Sequence, residues 1–478
     1  MEHNSSSLCY RLAGGYVYTA HLIALERCTP VEGTPVPGHP SLRSIQTPLN
    51  VVAWQAALCN HPDQAFVRYI TRGLSEGFRI GFDRSHPLLS TKKNLPSASE
   101  QSEVLAAYMD REVALGRVTG PFEPNAAWHI NRVGVIPKGH ATGKWSMITD
   151  LSFPPGASVN DGIDPELCTL SYVTVDQVAA IADELGRGAL LAKVDIEAAY
   201  HLIPVHPDDR PLLAMQWRNR VYVDAQLPFG LRSASKIFTT VADGLEWIAK
   251  QRGSGLIEHY LDDYILMGGP NDDSCQRGLD SLISTCGELG VPLARHKQEG
   301  PCTQLTFLGI EMDTVHGCLR LPVEKLDRLK RLLEEWNDRK ACTRRELESL
   351  VGSLNHACKV VRPGRSFLRR MLDLLRRSSA GAAPRPHHHI RLNREFRSDL
   401  QWWRSFARDW NGVSYLKDQA QATVQVVSDA SGNWGCGAWW EGAWFHLQWP
   451  GVALDMTITI NELIPIMIAC VIWGNQWV

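Results

Sequence analysis

Two kinds of hydrophobic pattern divide this chain. Short, largely apolar runs occupy its middle: Leu190-Leu191-Ala192-Lys193-Val194, then Ile257, Tyr260 and Leu261, then Tyr264-Ile265-Leu266-Met267. Runs of this length, rich in Val, Ile, Leu and Tyr, predict buried strands. Further on the period lengthens: Val323, Leu326, Leu329, Leu332, Leu333 and Trp336 recur at helical spacing, which sets Lys325, Arg328 and Arg331 away from the apolar stripe. Near the end, Val424 to Ser431 reads as an alternating strand that closes on Asp429. Toward the start, Leu42–Asn50 is loop-like and Val51–Gly73 has room for a helix or two.

The polar residues that interrupt the buried runs carry the chemistry. Asp262-Asp263 sits between two apolar strands and predicts a hairpin whose tight turn is Asp-Asp. Two carboxylates this close raise each other's pKa unless a cation lies between them; the bland alternative is a solvated turn, because Asp favours turns. A third carboxylate decides between these. Asp195 ends the Leu190–Val194 run, 67 positions before Asp262. Together they offer hard oxygen ligands suited to magnesium, which retains waters and takes substrate phosphates as further ligands. Two such ions about 3.5–4 Å apart stabilise both the attacking and the leaving oxygen in phosphoryl transfer.

With these residues in place the chain resembles the reverse transcriptases of retroelements, most closely the DIRS type and its gypsy-like relatives. Asp195 stands in motif A and Tyr260-Leu261-Asp262-Asp263 is motif C. Gln226-Leu227-Pro228-Phe229-Gly230-Leu231-Arg232-Ser233-Ala234-Ser235 resembles motif B, Lys297 the motif D lysine, and Phe307-Leu308-Gly309 the primer-grip hairpin. Ile148-Thr149-Asp150-Leu151-Ser152 and Ser158-Val159-Asn160-Asp161 add to the likeness, which covers roughly residues 100–415.

The resemblance implies an α+β right-hand polymerase with fingers, palm and thumb, followed by an incomplete ribonuclease H-like α/β domain. The expected divisions are an N-terminal extension over 1–99, fingers and palm over 100–315, a basic helical thumb or connection over 316–415, and a ribonuclease H-like segment over 421–478. It implies RNA-directed DNA synthesis: dNTPs added to a primer 3′ end on an RNA or DNA template. The cofactor would be two Mg2+ ions, with Mn2+ as a substitute. Asp195 and Asp262 would hold both ions, with Asp263 as a weaker ligand and the Ile196 carbonyl completing one site.

Tyr200, five residues after Asp195, matches the family's aromatic steric gate against a ribose 2′-hydroxyl; a core aromatic is the alternative. Phe229 and Gly230 would border the nucleotide. Lys297 would protonate the leaving pyrophosphate, or be simply an exposed lysine. Lys138 and Lys144, in the Gly-punctuated turn Ile136–Trp145, would clamp the triphosphate, unless they are a solvated pair on a flexible loop. One departure stands out: after Lys144-Trp145 the family usually carries an arginine, and this chain has Ser146. Serine lacks the bidentate fork and the permanent charge, so the loss predicts a rate lower by on the order of 10²-fold or more.

Composition changes the picture in one respect. The chain's net charge is −2, which looks wrong for a nucleic-acid enzyme, but Arg320–Trp410 holds 22 Lys plus Arg against 11 Asp plus Glu. That stretch is therefore +11 and the remainder about −13, enough local positive surface to track a phosphate backbone with steep salt dependence. The expected partners are an RNA template, a DNA primer and the RNA–DNA hybrid between them.

Twelve cysteines contain no Cys-x-x-Cys pair, so neither a zinc knuckle nor a disulfide framework is indicated. His387-His388-His389 follows a Ser/Ala/Pro stretch and reads as linker. No signal peptide is evident, and the longest apolar runs, Tyr16–Leu25 and Leu463–Trp473, fall short of a bilayer's thickness. A cytoplasmic location with nuclear access is expected, with no membrane partner.

The last segment carries a second constellation: Asp429 at a strand end, a Gly435-Cys436-Gly437 turn, and Glu462 near the start of a helix. It resembles the opening of a ribonuclease H domain, in which Asp429 and Glu462 match the first two metal-binding carboxylates. Too few residues follow Ala422 for the whole domain, so ribonuclease H activity is expected to be absent, and an exposed sheet edge would favour aggregation. Two other readings remain beside the polymerase: a decayed or domesticated nucleic-acid-binding remnant, and a nuclease centred on Asp429 and Glu462.

Overall fold

The computed structural model describes residues 42–91, 93–137, 145–377, 389–410, 412–414, 424–450 and 457–477. Lys138, Lys144, the Tyr16–Leu25 run, and His387 and His388 of the histidine triplet lie outside the described residues. The chain divides into two compact units, Met1–Tyr415 and Leu416–Val478.

The palm of the first unit is a four-stranded sheet in the order Leu256–Tyr260, Asp263–Gly268, Leu190–Asp195, Glu299–Cys302, antiparallel throughout. Its central strands read as unbroken apolar runs because both faces are covered. Ala192, Val194, Tyr264 and Leu266 join the core that also contains helices Ala234–Gln251 and Ser274–Leu289. Leu191, Ile265 and Met267 point the other way, into a core shared with helix Val175–Leu185 and the thumb. Lys193 lies on this second side but stays half-buried: its ammonium donates to the Thr306 carbonyl at 3.2 Å and pairs with Glu299 at 2.7 Å.

The segment expected to be an N-terminal extension is, from Leu49 onward, part of this body. Trp54, Phe66, Tyr69, Ile70 and Phe78 are buried in the same core as the palm helices. Asn50 caps helix Val51–Leu58, and the Trp54 indole donates to the Leu289 carbonyl at 3.1 Å. Arg79 and Arg84 both converge on the buried carboxylate of Asp209, at 2.9 and 2.7 Å. The composition of this stretch is ordinary, so only its long-range partners reveal where it belongs.

The fingers hold a five-stranded sheet in the order Val118–Phe122, Arg220–Asp224, Ala214–Trp217, Ile130–Pro137, Trp145–Asp150. Its last two strands form a hairpin in which Ile136 pairs with Ser146 and Arg132 with Asp150. The thumb comprises helices Val323–Asn337, Arg344–Ala357, Arg369–Arg377 and Arg394–Asp409. Leu329, Leu333 and Trp336 of the first helix are buried with Met371, Phe396 and Trp403, whereas Lys325, Arg328 and Arg331 are exposed. Val323, placed in the stripe by its spacing, is exposed instead, because it lies in the first turn before the helix meets its neighbours.

The second unit is an antiparallel meander of Val427–Ala430, Gly435–Trp440 and Ala443–Gln448, together with helix Ile458–Trp473. Asn461, Pro465, Ala469 and Trp473, four residues apart, form the helix's buried stripe, while Leu463, Met467 and Val471 are exposed on its other side. With the 3-10 turn that follows, Ile458–Gln476 is long and apolar enough to cross a membrane by length and composition. This corrects the expectation from the Leu463–Trp473 run, since the helix begins before that run and the 3-10 turn extends beyond it.

Candidate active site

Asp195 and Asp263 are register partners on adjacent palm strands. Because side chains alternate, both point to the face that carries Leu191, Lys193 and Ile265. The hairpin differs from the sequence expectation in one respect. Tyr260 pairs with Asp263, so the two turn residues are Leu261 and Asp262, and Asp263 already belongs to the strand. Leu261 adopts φ +53°, a conformation that costs a non-glycine residue roughly 1–2 kcal/mol. The turn is held from the motif A side, where the Ile196 amide donates to the Asp262 carbonyl at 3.0 Å.

Lys297 completes this group. The Ala294 amide donates to the Asp195 carbonyl at 2.9 Å, which fixes the start of the short 3-10 turn Arg295–Lys297 beside the strand end. The Lys297 ammonium then reaches both Asp195 oxygens, at 2.9 and 2.8 Å. This ion pair holds the Lys297 pKa above its ordinary value. Burial, with the charges of Asp262 and Asp195 added, pushes Asp263 up to about 6. Burial and the Asp195 charge also raise Asp262, against the pull of Lys297.

These shifts come first from burial and then from crowded negative charge, and hard carboxylate oxygens are the donors a divalent ion requires. Among the described residues, no three His, Cys, Asp or Glu side chains close into a complete metal-binding group. That suits a hard cation that draws further ligands from substrate and water rather than one caged by protein alone. The carboxylates thus fit a divalent metal.

Beside them lies an aromatic and Gly-turn cluster. Tyr200 packs against Phe229 and Phe238, with ring centroids 5.1 and 5.6 Å apart, and its hydroxyl lies 2.8 Å from Ser235 Oγ. Phe229 is 56 % exposed. Gly230 has φ +91°, and a Cβ there would stand 3.4 Å from the Thr149 carbonyl; the turn needs glycine for its conformation more than for space.

Asn160 fastens this turn from outside. Its amide donates to the Gly230 carbonyl at 2.8 Å and to Ser152 Oγ at 2.9 Å, and accepts from the Arg232 amide at 2.8 Å. Sequence reasoning used Asn160 only as a marker of likeness and gave it no role. Tyr172 was missed altogether: it stands alone in a loop, yet its ring lies 4.7 Å from that of Tyr260.

Ser146 is half-buried in the fingers hairpin. On the same hairpin, Arg132 is committed to Asp150 and lies over the Phe153 ring, 3.3 Å from its centroid. At the Phe307-Leu308-Gly309 hairpin, Leu308 and Gly309 both take positive φ. Two thumb helices grasp the tip: Lys325 donates to the Gly309 carbonyl at 3.2 Å, and His356 Nε2 lies 3.3 Å from the Leu308 carbonyl. In the second unit, Asp429 is exposed on an edge strand and Glu462 is half-buried on the helix.

Residues 150–312 match the family model described as reverse transcriptase (RNA-dependent DNA polymerase). Polyprotein P3 of Commelina yellow mottle virus is 22 % identical over 180 residues, 38 % of this chain and 9 % of that polyprotein. The retrovirus-related Pol polyprotein from transposon gypsy of Drosophila melanogaster is 24 % identical over 132 residues, 28 % of this chain and 12 % of its own length. The chain thus spans a small part of the curated relatives it matches.

Among solved structures, the foamy viral protease-reverse transcriptase in complex with RNA/DNA hybrid aligns with a TM-score of 0.54 at 15 % identity, over 89 % of this chain and 56 % of that one. The same enzyme with dsDNA gives 0.50 at 16 % identity, over 91 % and 88 %. At these identities the likeness speaks for the fold, an α+β right-hand polymerase. The family match over residues 150–312 and the transposon relatives make this stretch similar to the retroelement reverse transcriptases.

Proposed function

We propose that the chain is an RNA-directed DNA polymerase that extends a primer 3′ end with dNTPs on an RNA or DNA template. The observation that carries this reading is the convergence of Asp195, Asp262 and Asp263 at one end of the palm sheet, with Lys297 on Asp195 and the Tyr200–Phe229 cluster alongside. Two Mg2+ ions held by Asp195 and Asp262, with Asp263 in support, would lower the pKa of the primer hydroxyl and neutralise charge on the leaving pyrophosphate.

The protein's own groups do the rest. Lys297 lies within reach of the departing group and has a proton to give. Tyr200 stands where a bulky ring excludes a ribose 2′-hydroxyl. The Asn160-braced turn at Gly230 holds Phe229 against the nucleotide. Lys325, Arg328 and Arg331 present positive charge to the duplex. No hydrolytic step is proposed through Asp429 and Glu462.

A second reading, a remnant that binds primer-template with little turnover, draws on Ser146, which leaves the fingers hairpin without the family's triphosphate-gripping arginine.

Primer extension on an RNA template with dNTPs and Mg2+ separates these readings. The polymerase reading expects extension by the parent and none by Asp262→Asn, with salt-sensitive duplex binding retained in both. Extension by Ser146→Arg alone would mark a site disabled at its triphosphate grip. Silence from all three, with binding intact, would sink the polymerase reading in favour of the remnant.

A further inference from the structure

Tyr200 acts as a sugar selector only if its ring is held in place, and ring contacts alone hold it poorly. Phe238 lies on a buried helix, but Phe229, the other ring it touches, is more than half exposed and offers a soft wall. The far end of the Tyr200 ring is fixed instead by its hydroxyl, 2.8 Å from Ser235 Oγ on the first turn of helix Ala234–Gln251. Nearby, the Tyr172 ring lies 4.7 Å from that of Tyr260, two residues before Asp262. The Tyr200–Ser235 bond ties the strand end after Asp195 to the helix after the Gly230 turn.

We propose that Ser235 is a positioning residue that sets deoxyribose selectivity: its hydroxyl fixes the Tyr200 ring against the sugar position. The inference rests on the polymerase reading and on Tyr200 as the gate. Positional precision is what such a gate requires, since a displacement of about 1 Å can change a rate by on the order of 10²-fold. Losing one neutral hydrogen bond frees the ring part of the time, which predicts a threefold to tenfold loss of discrimination, roughly one bond's worth.

The test is single-nucleotide extension by the full chain, comparing kcat/KM for a dNTP with that for the rNTP of the same base. Tyr200→Ala should collapse the ratio. Ser235→Ala should lower it about threefold to tenfold, and Ser235→Thr, which keeps the hydroxyl, should restore the parent value. Loss of folded enzyme scales both substrates alike and leaves the ratio unmoved, so a merely structural serine would not produce this pattern. A parent-like ratio in Ser235→Ala beside a collapsed ratio in Tyr200→Ala overturns the role of Ser235. A parent-like ratio in Tyr200→Ala overturns the gate, and a parent that extends nothing overturns the polymerase reading; either takes the inference with it.

Discussion

Replacing Asp263 by Asn should make the metal-free protein more stable while weakening the site. Burial and the charges of Asp262 and Asp195 hold the Asp263 carboxyl at about 6, against an ordinary 3.8. A folded-state pKa above the unfolded one means that the native protein binds the extra proton. Its stability therefore falls as pH rises from about 4 through 6, and the penalty is fully present above about pH 7. A shift of about two units corresponds to about 3 kcal/mol; the group is only about half-buried, and screening by solvent reduces this to about 1 kcal/mol.

Asparagine removes that charge and keeps the shape, and its amide can donate to Asp195. In chelator at pH 7.5, Asp263→Asn should thus melt about 1–3 °C above the parent, and the gap should close toward pH 5. Mg2+ should then narrow or reverse the order. At ten times its Kd the ion adds about 1.4 kcal/mol to the parent, and it adds less to a variant with one carboxylate fewer. Thermal melts over pH 5–8, with and without Mg2+, check each step. An Asn variant that melts below the parent in chelator at pH 7.5, or a gap that widens on acidification, would refute the charge argument.

Two further predictions concern residues that hold or serve the site. Asn160→Ala leaves the Gly230 carbonyl and the Arg232 amide without their partner, so it should cost roughly 1–3 kcal/mol in denaturant unfolding and raise the KM for dNTP. Lys297→Met should slow extension by about 10²–10⁴-fold, the usual contribution of a general acid. The raised Lys297 pKa keeps the parent lysine protonated throughout the working range, so any alkaline limb of the parent's kcat profile that comes from this lysine should lie beyond that of an unpaired lysine and vanish in the variant.

The sequence by itself determined the local chemistry. The short apolar runs at Leu190 and Tyr264 announced buried strands, and the helical stripe at Leu329, Leu333 and Trp336 announced the thumb's first helix, because burial leaves run lengths and periods that survive in one dimension. Placing Asp195 and Asp262-Asp263 at the ends of such strands required no coordinates. Tertiary structure alone decided what depends on partners distant in sequence. It moved Asp263 from turn to strand by pairing it with Asp195, and it drew Trp54 and Phe78 into the palm core. It brought Asn160 to the Gly230 turn 70 residues away, Tyr172 to Tyr260 and Tyr200 to Ser235. Isolated polar residues such as these leave no periodic trace, because a single hydrogen bond constrains one position and not its neighbours. Their roles became legible only once the sheet register and helix packing had fixed what each side chain faces.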